Sequence, residues 1–264
     1  MPLCSPPPPP LPPPPPQQVI RAYDGHLSAV YALALHPTLD VLLTGGRDSS
    51  CRVWDMRTRT QVHILTGHES TVSSILANSS DPQVVTGSMD STVRTWDLAA
   101  GRVRSVLTHH KKSVRCLAGH GAEFAFVSGS ADAVKRWALP ECTFVHGYSS
   151  SGGRGAGGAG SIVNALALNA DGVLVGGGDD GSLQMWDYGT GHAFQSSHSV
   201  AQPGSLDAEA GIFAAAFDAT GSRLITGEAD KTIKIWKEDT EASPETHPID
   251  MAAWEAQCRA LKRY

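Results

Sequence analysis

The segment DSTVRTWD, residues 90–97, recurs in outline five times along the chain and decides how it folds. In every copy an aspartate stands five or six residues before a tryptophan that ends a short apolar run. Successive tryptophans lie 42, 41, 49 and 50 residues apart, a period that indicates stacked copies of one supersecondary unit. The five copies are Asp48 to Trp54, Asp90 to Trp96, Asp132 to Trp137, Asp180 to Trp186 and Asp230 to Trp236.

Each copy also contains the other parts of a small antiparallel sheet. A Gly-His pair, as at residues 67–68, precedes a short alternating strand, and a second strand follows, as at residues 83–86. A tight turn leads to the strand that ends at tryptophan, and a fourth strand runs into the next repeat. Since such a sheet cannot bury both of its faces alone, the sequence predicts an all-β propeller of five four-stranded blades over residues 17–238.

Four side chains recur in phase with these strands: a histidine, a serine or threonine, the turn aspartate and the tryptophan. The carboxylate can accept from an imidazole N–H, the imidazole can bond the hydroxyl, and the hydroxyl can accept from the indole N–H. Every buried polar group then has a partner, so the sequence predicts structural tetrads. Their members are His26, Thr44, Asp48 and Trp54; His68, Thr86, Asp90 and Trp96; His110, Ser128, Asp132 and Trp137; and, without a histidine, Thr226, Asp230 and Trp236.

The same residue types also occur in catalytic triads. The structural interpretation is favoured because the set repeats three times, ends each time on a tryptophan, and has no G-x-S-x-G segment nearby. The fourth repeat departs from the pattern, since Gly176 replaces the hydroxyl and no Gly-His pair precedes its first strand. We therefore expect no enzymatic activity, and we expect the fourth blade to be the least stable.

Residues 155–160, GAGGAG, match the G-x-G-x-x-G pattern of dinucleotide-binding loops. They lie between two predicted strands, so no helix N-terminus is available to hold a pyrophosphate. We interpret residues 149–161 as a flexible insertion loop rich in Gly, Ser and Ala. The five cysteines are scattered without a C-x-x-C pair, and the sequence predicts no cofactor, no metal site and no small-molecule substrate.

The two flanks differ from the repeats in composition. Residues 1–16 contain eleven of the seventeen prolines and are predicted to be a disordered polyproline leader. This leader is either a ligand for SH3, WW or profilin-like grooves or a low-complexity segment without a partner. It excludes a secretory signal, and no stretch is apolar enough to predict a membrane span. Residues 239–264 are predicted to be a C-terminal tail with a basic end.

The repeat marks resemble those of the WD40 family, in which Gly-His and Trp-Asp pairs frame each blade. Three repeats keep the Trp-Asp pair, whereas Trp137 and Trp236 are followed by other residues. Segments between the marks are similar to the pleiotropic regulator 1 family of WD40 splicing proteins. They include LSAVY at residues 27–31, LHPT at residues 35–38 and AQPGSLD at residues 201–207. The insertion PGSLD at residues 203–207 is the most specific of them.

The resemblance implies a nuclear, non-enzymatic scaffold of the nineteen complex and the activated spliceosome. Its partners would be spliceosomal proteins that include a Myb-related splicing protein, with indirect or peripheral contact to RNA. The alternative is a generic WD40 interaction adaptor, such as a ubiquitin-ligase substrate receptor, because one fold serves many partners. Family propellers have seven blades, and this sequence resembles them from the third blade onward.

That difference makes closure of the ring an open question. Residues 17–23 resemble a fourth strand without the three that should precede it, and the last repeat has no evident fourth strand. These two remnants could pair. Five blades whose faces suit a larger ring would pack with voids, however, and an open arc would leave two apolar faces exposed. We expect the open or strained arc.

Partner contacts are expected at the rim that carries the Gly-His loops. The residue before each turn aspartate should reach this rim, and a lysine pair adds positive charge to it, although the net charge of the chain is −5. The predicted partner-binding residues are Arg47, Met89, Lys111 and Lys112. The other residues that precede a turn aspartate are Ala131, Asp179 and Ala229.

Overall fold

A computed structural model describes residues 19–121, 123–148, 162–206 and 209–239 of the chain. These residues form consecutive antiparallel sheets, each from strands that follow one another in sequence. The first two sheets contain β1 (Val30–Leu35), β2 (Val41–Gly46), β3 (Cys51–Asp55) and β4 (Gln61–Leu65), then β5 (Val72–Ala77), β6 (Val84–Ser88), β7 (Val93–Asp97) and β8 (Arg102–Leu107).

The third and fourth sheets repeat this arrangement, and the fifth has three strands within the described residues. The predicted all-β fold is therefore confirmed, while the last blade has one strand fewer than the expected four. These sheets contain β9 (Val114–Gly119), β10 (Ala125–Ser130), β11 (Val134–Ala138) and β12 (Thr143–Tyr148); β13 (Val163–Leu168), β14 (Val173–Gly178), β15 (Ser182–Asp187) and β16 (Ala193–His198); and β17 (Ile212–Phe217), β18 (Arg223–Glu228) and β19 (Ile233–Lys237).

The core lies between neighbouring sheets and not within any one of them. Between the first and second sheets, Leu43 and Val53 pack against Val84 and Trp96, and all four side chains are buried. Corresponding clusters fill the three other interfaces. Full burial of a side chain of this size contributes about 1.5–3 kcal/mol, so each sheet depends on its neighbours for stability.

Each first strand contains an irregularity close to its start. The register of β5 against β6 shifts between Val72 and Ser74, and the other first strands have a shift at the same place. A bulge of this kind bends the strand and redirects the side chain of the extra residue. The residue at this position therefore departs from the regular alternation of its strand.

The five sheets form an arc that does not close into a ring, as expected from the sequence. β19 pairs only with β18, and residues 19–23 form no strand, so the described part of the predicted strand 17–23 does not complete the fifth sheet. Tyr23 instead packs against the ring of Trp54, with ring centroids 5.7 Å apart. Residues 19–23 therefore contact the first sheet and form no ladder with β19.

Several sequence predictions concern residues outside the described ranges. The polyproline leader, the GAGGAG motif at residues 155–160 with its loop, and all of the predicted tail except residue 239 belong to this group. Within the described ranges, no helix is long and apolar enough to cross a membrane.

Candidate interaction surface

The second sheet shows how the repeated polar residues are connected. The indole N–H of Trp96 donates to Thr86 Oγ1 over 2.8 Å, and Thr86 Oγ1 lies 2.7 Å from His68 Nε2. The other ring nitrogen, Nδ1, lies 2.9 Å from Asp90 Oδ2. If Nδ1 carries the proton, every donor in this hydrogen-bond network has an acceptor. The indole donates to the hydroxyl, the hydroxyl donates to Nε2, and Nδ1–H donates to the carboxylate.

The carboxylate of Asp90 also holds the turn between β6 and β7. Its Oδ1 accepts from the backbone N–H and the hydroxyl of Thr92, and its Oδ2 accepts from the backbone N–H of Glu69. Burial alone would raise the pKa of Asp90, but the hydrogen bonds from Thr92 and His68 outweigh it and lower the pKa to about 2. The charged carboxylate thus links the turn to the loop that precedes β5.

The first and third sheets contain the same network. His26 Nδ1 lies 2.9 Å from Asp48 Oδ2, and His26 Nε2 lies 2.6 Å from Thr44 Oγ1. The indole of Trp54 donates to that hydroxyl over 2.9 Å. In the third sheet the distances are 3.1 Å between His110 and Asp132, 2.7 Å between His110 and Ser128, and 2.8 Å between Trp137 and Ser128.

The histidines of the second and third sheets favour the neutral form. Burial lowers the pKa of His68 and of His110, although a carboxylate beside each ring raises it. The nearby cations Arg94 and Lys135 lower these pKa values further. A neutral ring can accept from the hydroxyl at Nε2 while it donates from Nδ1, which is what the network requires.

The fourth sheet has no tetrad. A Cβ atom placed on Gly176 would lie 2.7 Å from the ring of Trp186, so the indole occupies the space that the hydroxyl fills in the other sheets. Asn164, at the bulge of β13, donates to Asp179 over 3.1 Å and accepts from Arg115 over 2.6 Å. The bond from Arg115 connects the third sheet to the fourth, whereas the bond to Asp179 lies within the fourth repeat.

In the fifth sheet a different group takes the place of the histidine. Trp236 donates to Thr226 over 2.9 Å, as in the complete tetrads, but the hydroxyl of Thr226 then faces the carboxylate of Glu228 at 3.3 Å. Glu228 accepts from Ser199 over 2.7 Å and forms an ion pair with Lys234 at 2.6 Å. The Glu228 side chain is fully buried, so a charged pair replaces the neutral imidazole.

The turn aspartate of the fifth sheet keeps its connection to the preceding loop. Asp230 accepts from the backbone N–H of Gln202 over 3.0 Å, the bond that Leu27, Glu69 and Lys111 make in the first three sheets. The insertion that begins at residue 203 then extends this loop before β17 begins. Sequence reasoning missed Ser199, Gln202, Glu228 and Lys234; the one available signal was the glutamate two residues before the turn aspartate.

We use the term loop rim for the residues that precede the turn aspartates together with the loops that precede the first strands. Arg47 donates its backbone N–H to the carbonyl of Ala29 over 2.8 Å, and Met89 donates to Thr71 over 2.9 Å. Asp179 and Ala229 make the same kind of bond, to Ile162 and Gly211 respectively. The residue before the turn aspartate therefore lies beside the loop at the start of the first strand.

The side chains of the loop rim are exposed and unevenly charged. Arg47, Lys111 and Lys112 are exposed, and they place positive charge on the rim of the first and third sheets. Met89 is 46% exposed between them, and Asp179 places negative charge on the rim of the fourth sheet. The loop rim thus combines an exposed apolar side chain with flanking cations.

The side of the sheets opposite the loop rim contains a cavity of about 490 Å³. It is lined by the ends of β9, β13 and β17 and by the turns that follow β13 and β17. Asp218, one of its polar residues, already accepts from the backbone N–H of Ala219 and the hydroxyl of Thr220. Across the part of the chain that the structure describes, no group of three His, Cys, Asp or Glu side chains is placed to hold a metal ion.

The repeats match a known sequence family. The family described as WD domain, G-beta repeat matches residues 17–55, 59–97, 155–187 and 202–237, which together are more than half of the chain. The chain belongs to the WD40 family. The third sheet lies between the matched ranges, yet it has the same strand order and the same hydrogen-bonded tetrad as the first two WD40 repeats.

Individual relatives confirm the resemblance to the pleiotropic regulators. The chain is 63% identical over 90 residues to "Protein pleiotropic regulatory locus 1" of Arabidopsis thaliana, a match that covers 34% of this chain and 18% of the relative. It is 51% identical over 131 residues to "Pleiotropic regulator 1" of Mus musculus, covering 50% of this chain and 23% of the relative. The "Pre-mRNA-splicing factor PRP46" of Yarrowia lipolytica is 50% identical over 114 residues, covering 43% and 24%.

These matches span about a quarter or less of the length of the curated relatives. They establish a sequence relationship for part of each relative's length. The activity and the partners of a whole relative come to this chain only as a proposal.

Proposed function

We propose that this chain is a non-catalytic WD40 scaffold in pre-mRNA splicing. The observation that carries the proposal is its similarity to relatives named as pleiotropic regulators and pre-mRNA-splicing factors. The proposal implies a nuclear location and contacts with spliceosomal proteins. Among these, the resemblance to the pleiotropic regulator family favours proteins of the nineteen complex, including a Myb-related splicing protein.

The tetrad geometry supports the absence of catalysis. The histidines that a hydrolase would use as bases are bonded at both ring nitrogens, as His68 is to Thr86 and Asp90. The hydroxyl of Thr86 also accepts from an indole, so it lies inside the sheet and away from any substrate. We infer that these residues stabilise the blades.

The loop rim is the surface that we propose for partner contact. Its cations Arg47, Lys111 and Lys112 and the exposed Met89 offer charge and apolar area on loops held by backbone hydrogen bonds. Charge at the edge of an interface mainly increases the rate of association and selects the partner. We expect the positive charge of the rim to engage acidic protein segments. Because the net charge of the whole chain is −5, contact with RNA should be peripheral at most.

Affinity purification of the tagged full chain from nuclear extract tests the proposal. The wild type should recover spliceosomal proteins and small nuclear RNA. Lys111→Glu combined with Lys112→Glu should reduce that recovery by about three- to tenfold, because it reverses two rim charges. The melting temperature should stay unchanged, since both side chains are exposed.

Arg102→Glu combined with Arg104→Glu is the matched control. It makes the same charge change on the exposed side of β8, away from the loop rim, and should leave recovery unchanged. Recovery of ubiquitin-ligase subunits in place of spliceosomal proteins would favour the adaptor and reject the splicing role. Equal recovery for both charge-reversed variants would reject the rim as the contact surface.

A further inference from the structure

The two ends of the arc expose faces that are buried everywhere inside it. We call the outer face of the fifth sheet the end face; it contains Ile225, Ile233 and Ile235. Ile233 is 75% exposed and Ile235 is 65% exposed, and the described residues place no strand against them. The residues at the same three positions of the second sheet, Val85, Val93 and Thr95, are fully buried against the third sheet.

The first sheet has the complementary exposed face, which we call the start face. It contains Val30, Leu33 and Leu35 of β1, and Leu33 is 69% exposed. In the second sheet the equivalent residues face the first sheet: Val72 is completely buried and Ile75 packs into the shared core. The described part of the chain therefore displays one uncovered copy of each half of its own repeated interface.

A glycine in the second strand gives the interface its shape. A Cβ atom on Gly45 would lie 2.7 Å from Val72 Cγ1 and 2.8 Å from Ile75 Cδ1 of the next sheet. The glycine thus forms a recess that the first strand of the following sheet fills. Gly87, Gly129 and Gly177 are approached within 3 Å in the same way by the sheet that follows each of them.

Gly227 has the same position in the fifth sheet, but no described residue of another sheet fills its recess. The nearest atom to a Cβ placed there is Ala214 Cβ of the same sheet, at 3.7 Å. Thr226 precedes Gly227 just as Thr44 precedes Gly45, so the two glycines are equivalent. The side chains that would fill the recess at Gly227 are therefore the counterparts of Val72 and Ile75. On this chain those counterparts are Val30 and Leu33 of the start face.

We propose that two copies of this chain associate head to tail, with the start face of one copy stacked on the end face of the other. Val30 and Leu33 of one copy enter the recess at Gly227 of its partner, between Ile225, Ile233 and Ile235. A second copy is the occupant because the chain itself carries both complementary surfaces, and the pairing repeats an interface that it already forms four times. The contact is heterologous, so it leaves one free face at each end and can add further copies.

This association is independent of the splicing proposal, because it involves the ends of the arc and not the loop rim. The driving force for this association is burial of the exposed apolar side chains of both faces. Contiguous exposed apolar patches mark association surfaces in soluble proteins. It also predicts a dependence on concentration, since each added copy is stabilised by mass action.

Sedimentation velocity of the purified full chain tests the proposal. The average mass should rise over roughly a hundredfold range of concentration. Gly227→Val should fill the recess and weaken association by about tenfold or more, since a core contact of the interface is lost. Its backbone φ is not in the left-handed region and its neighbours leave room, so the fold should be kept.

Two further variants block one face each. Leu33→Lys blocks the start face and Ile235→Lys blocks the end face, and each variant alone should remain monomeric. An equimolar mixture should form a 1:1 dimer and nothing larger, because each variant keeps the face that the other has lost. Val62→Lys, a change at a 51% exposed residue of β4 outside both faces, should associate as the wild type does.

Three results would overturn the proposal. The first is a wild-type chain that stays monomeric over the whole range, which would mean that other residues or another protein cover these faces. The second is association that only one of the two lysine variants reduces, which would indicate a contact between like faces. The third is a mixture of the two variants that does not dimerise.

Discussion

The second sheet places the neutral ring of His68 between Thr86 and Asp90, whereas the fifth sheet places the carboxylate of Glu228 beside Thr226 and neutralises it with Lys234. In both sheets the tryptophan indole donates to the threonine hydroxyl. The shared requirement is thus a partner for a buried hydroxyl, and either a neutral acceptor or a paired ion can meet it.

The two solutions differ in their cost. A neutral imidazole is buried with little electrostatic penalty, while a buried ion pair recovers its desolvation energy only if both charges and their hydrogen bonds are present. The sheets also differ in their surroundings, because the described residues cover both faces of the second sheet and one face of the fifth. The fifth sheet should therefore be more sensitive to single changes.

The largest effect is expected when Lys234 is replaced. Lys234→Met leaves Glu228 buried without its cation and should lower the free energy of unfolding by about 3–5 kcal/mol, the usual cost of breaking a buried pair from one side. Urea denaturation measures this change. Lys237→Ala, on the same strand but exposed, is the control and should change stability by less than about 0.5 kcal/mol.

A double variant tests whether charge is the cause. Glu228→Gln together with Lys234→Met removes both charges and should recover most of the lost stability, because no unpaired charge remains. If the double variant were as unstable as Lys234→Met, packing of the lysine stem would explain the loss, and the comparison between the two sheets would fail.

A smaller loss is expected in the second sheet. Asp90→Ala removes the acceptor of His68 Nδ1 and of the Thr92 and Glu69 groups, and should destabilise the protein by about 1–3 kcal/mol. Thermal unfolding detects it. Asp40→Ala removes an exposed carboxylate from the turn before β2 and is the control. Equal shifts in melting temperature for the two variants would contradict the structural role of the tetrad.

The histidine networks should also make stability depend on pH. Burial holds the pKa of His68 and of His110 below 6.5, so the unfolded chain binds protons first as the pH falls. The contribution of these two histidines to the free energy of unfolding is complete above about pH 6.5. Below that pH it decreases by at most about 1.4 kcal/mol per pH unit for each histidine. Below about pH 4, Asp90 and Asp132 should add a second loss, since their pKa values are lowered to about 2.

Urea unfolding at pH 7.5 and at pH 5.5 compares wild type with His68→Gln. At pH 7.5 the variant should be less stable than the wild type. Between pH 7.5 and pH 5.5, however, the variant should lose less stability than the wild type does. Arg94 on β7 and Asp90 in the turn before β7 are the charged groups beside the ring, and both remain in the variant. An unchanged difference between the two pH values would mean that His68 is not buried in its neutral form.

The period of the tryptophans was sufficient to predict the number of sheets, because each stacked sheet must end its third strand on a buried ring. Gly176 likewise marked the fourth sheet as different before the structure was known. The network of the fifth sheet could not be predicted, since Ser199 and Glu228 meet through the fold although 29 residues separate them. Of the two outcomes left open for residues 17–23, the described residues 19–23 show the unpaired one, which agrees with the expected open arc.

Native-state hydrogen exchange at a concentration where the chain is monomeric tests the difference between the two sheets most directly. The account predicts that amides of β19 in the fifth sheet exchange at least about tenfold faster than those of β7 in the second, because only one face of the fifth sheet is covered. Equal protection of β7 and β19 would contradict it, since the open face and the charged network would then have no effect on local stability.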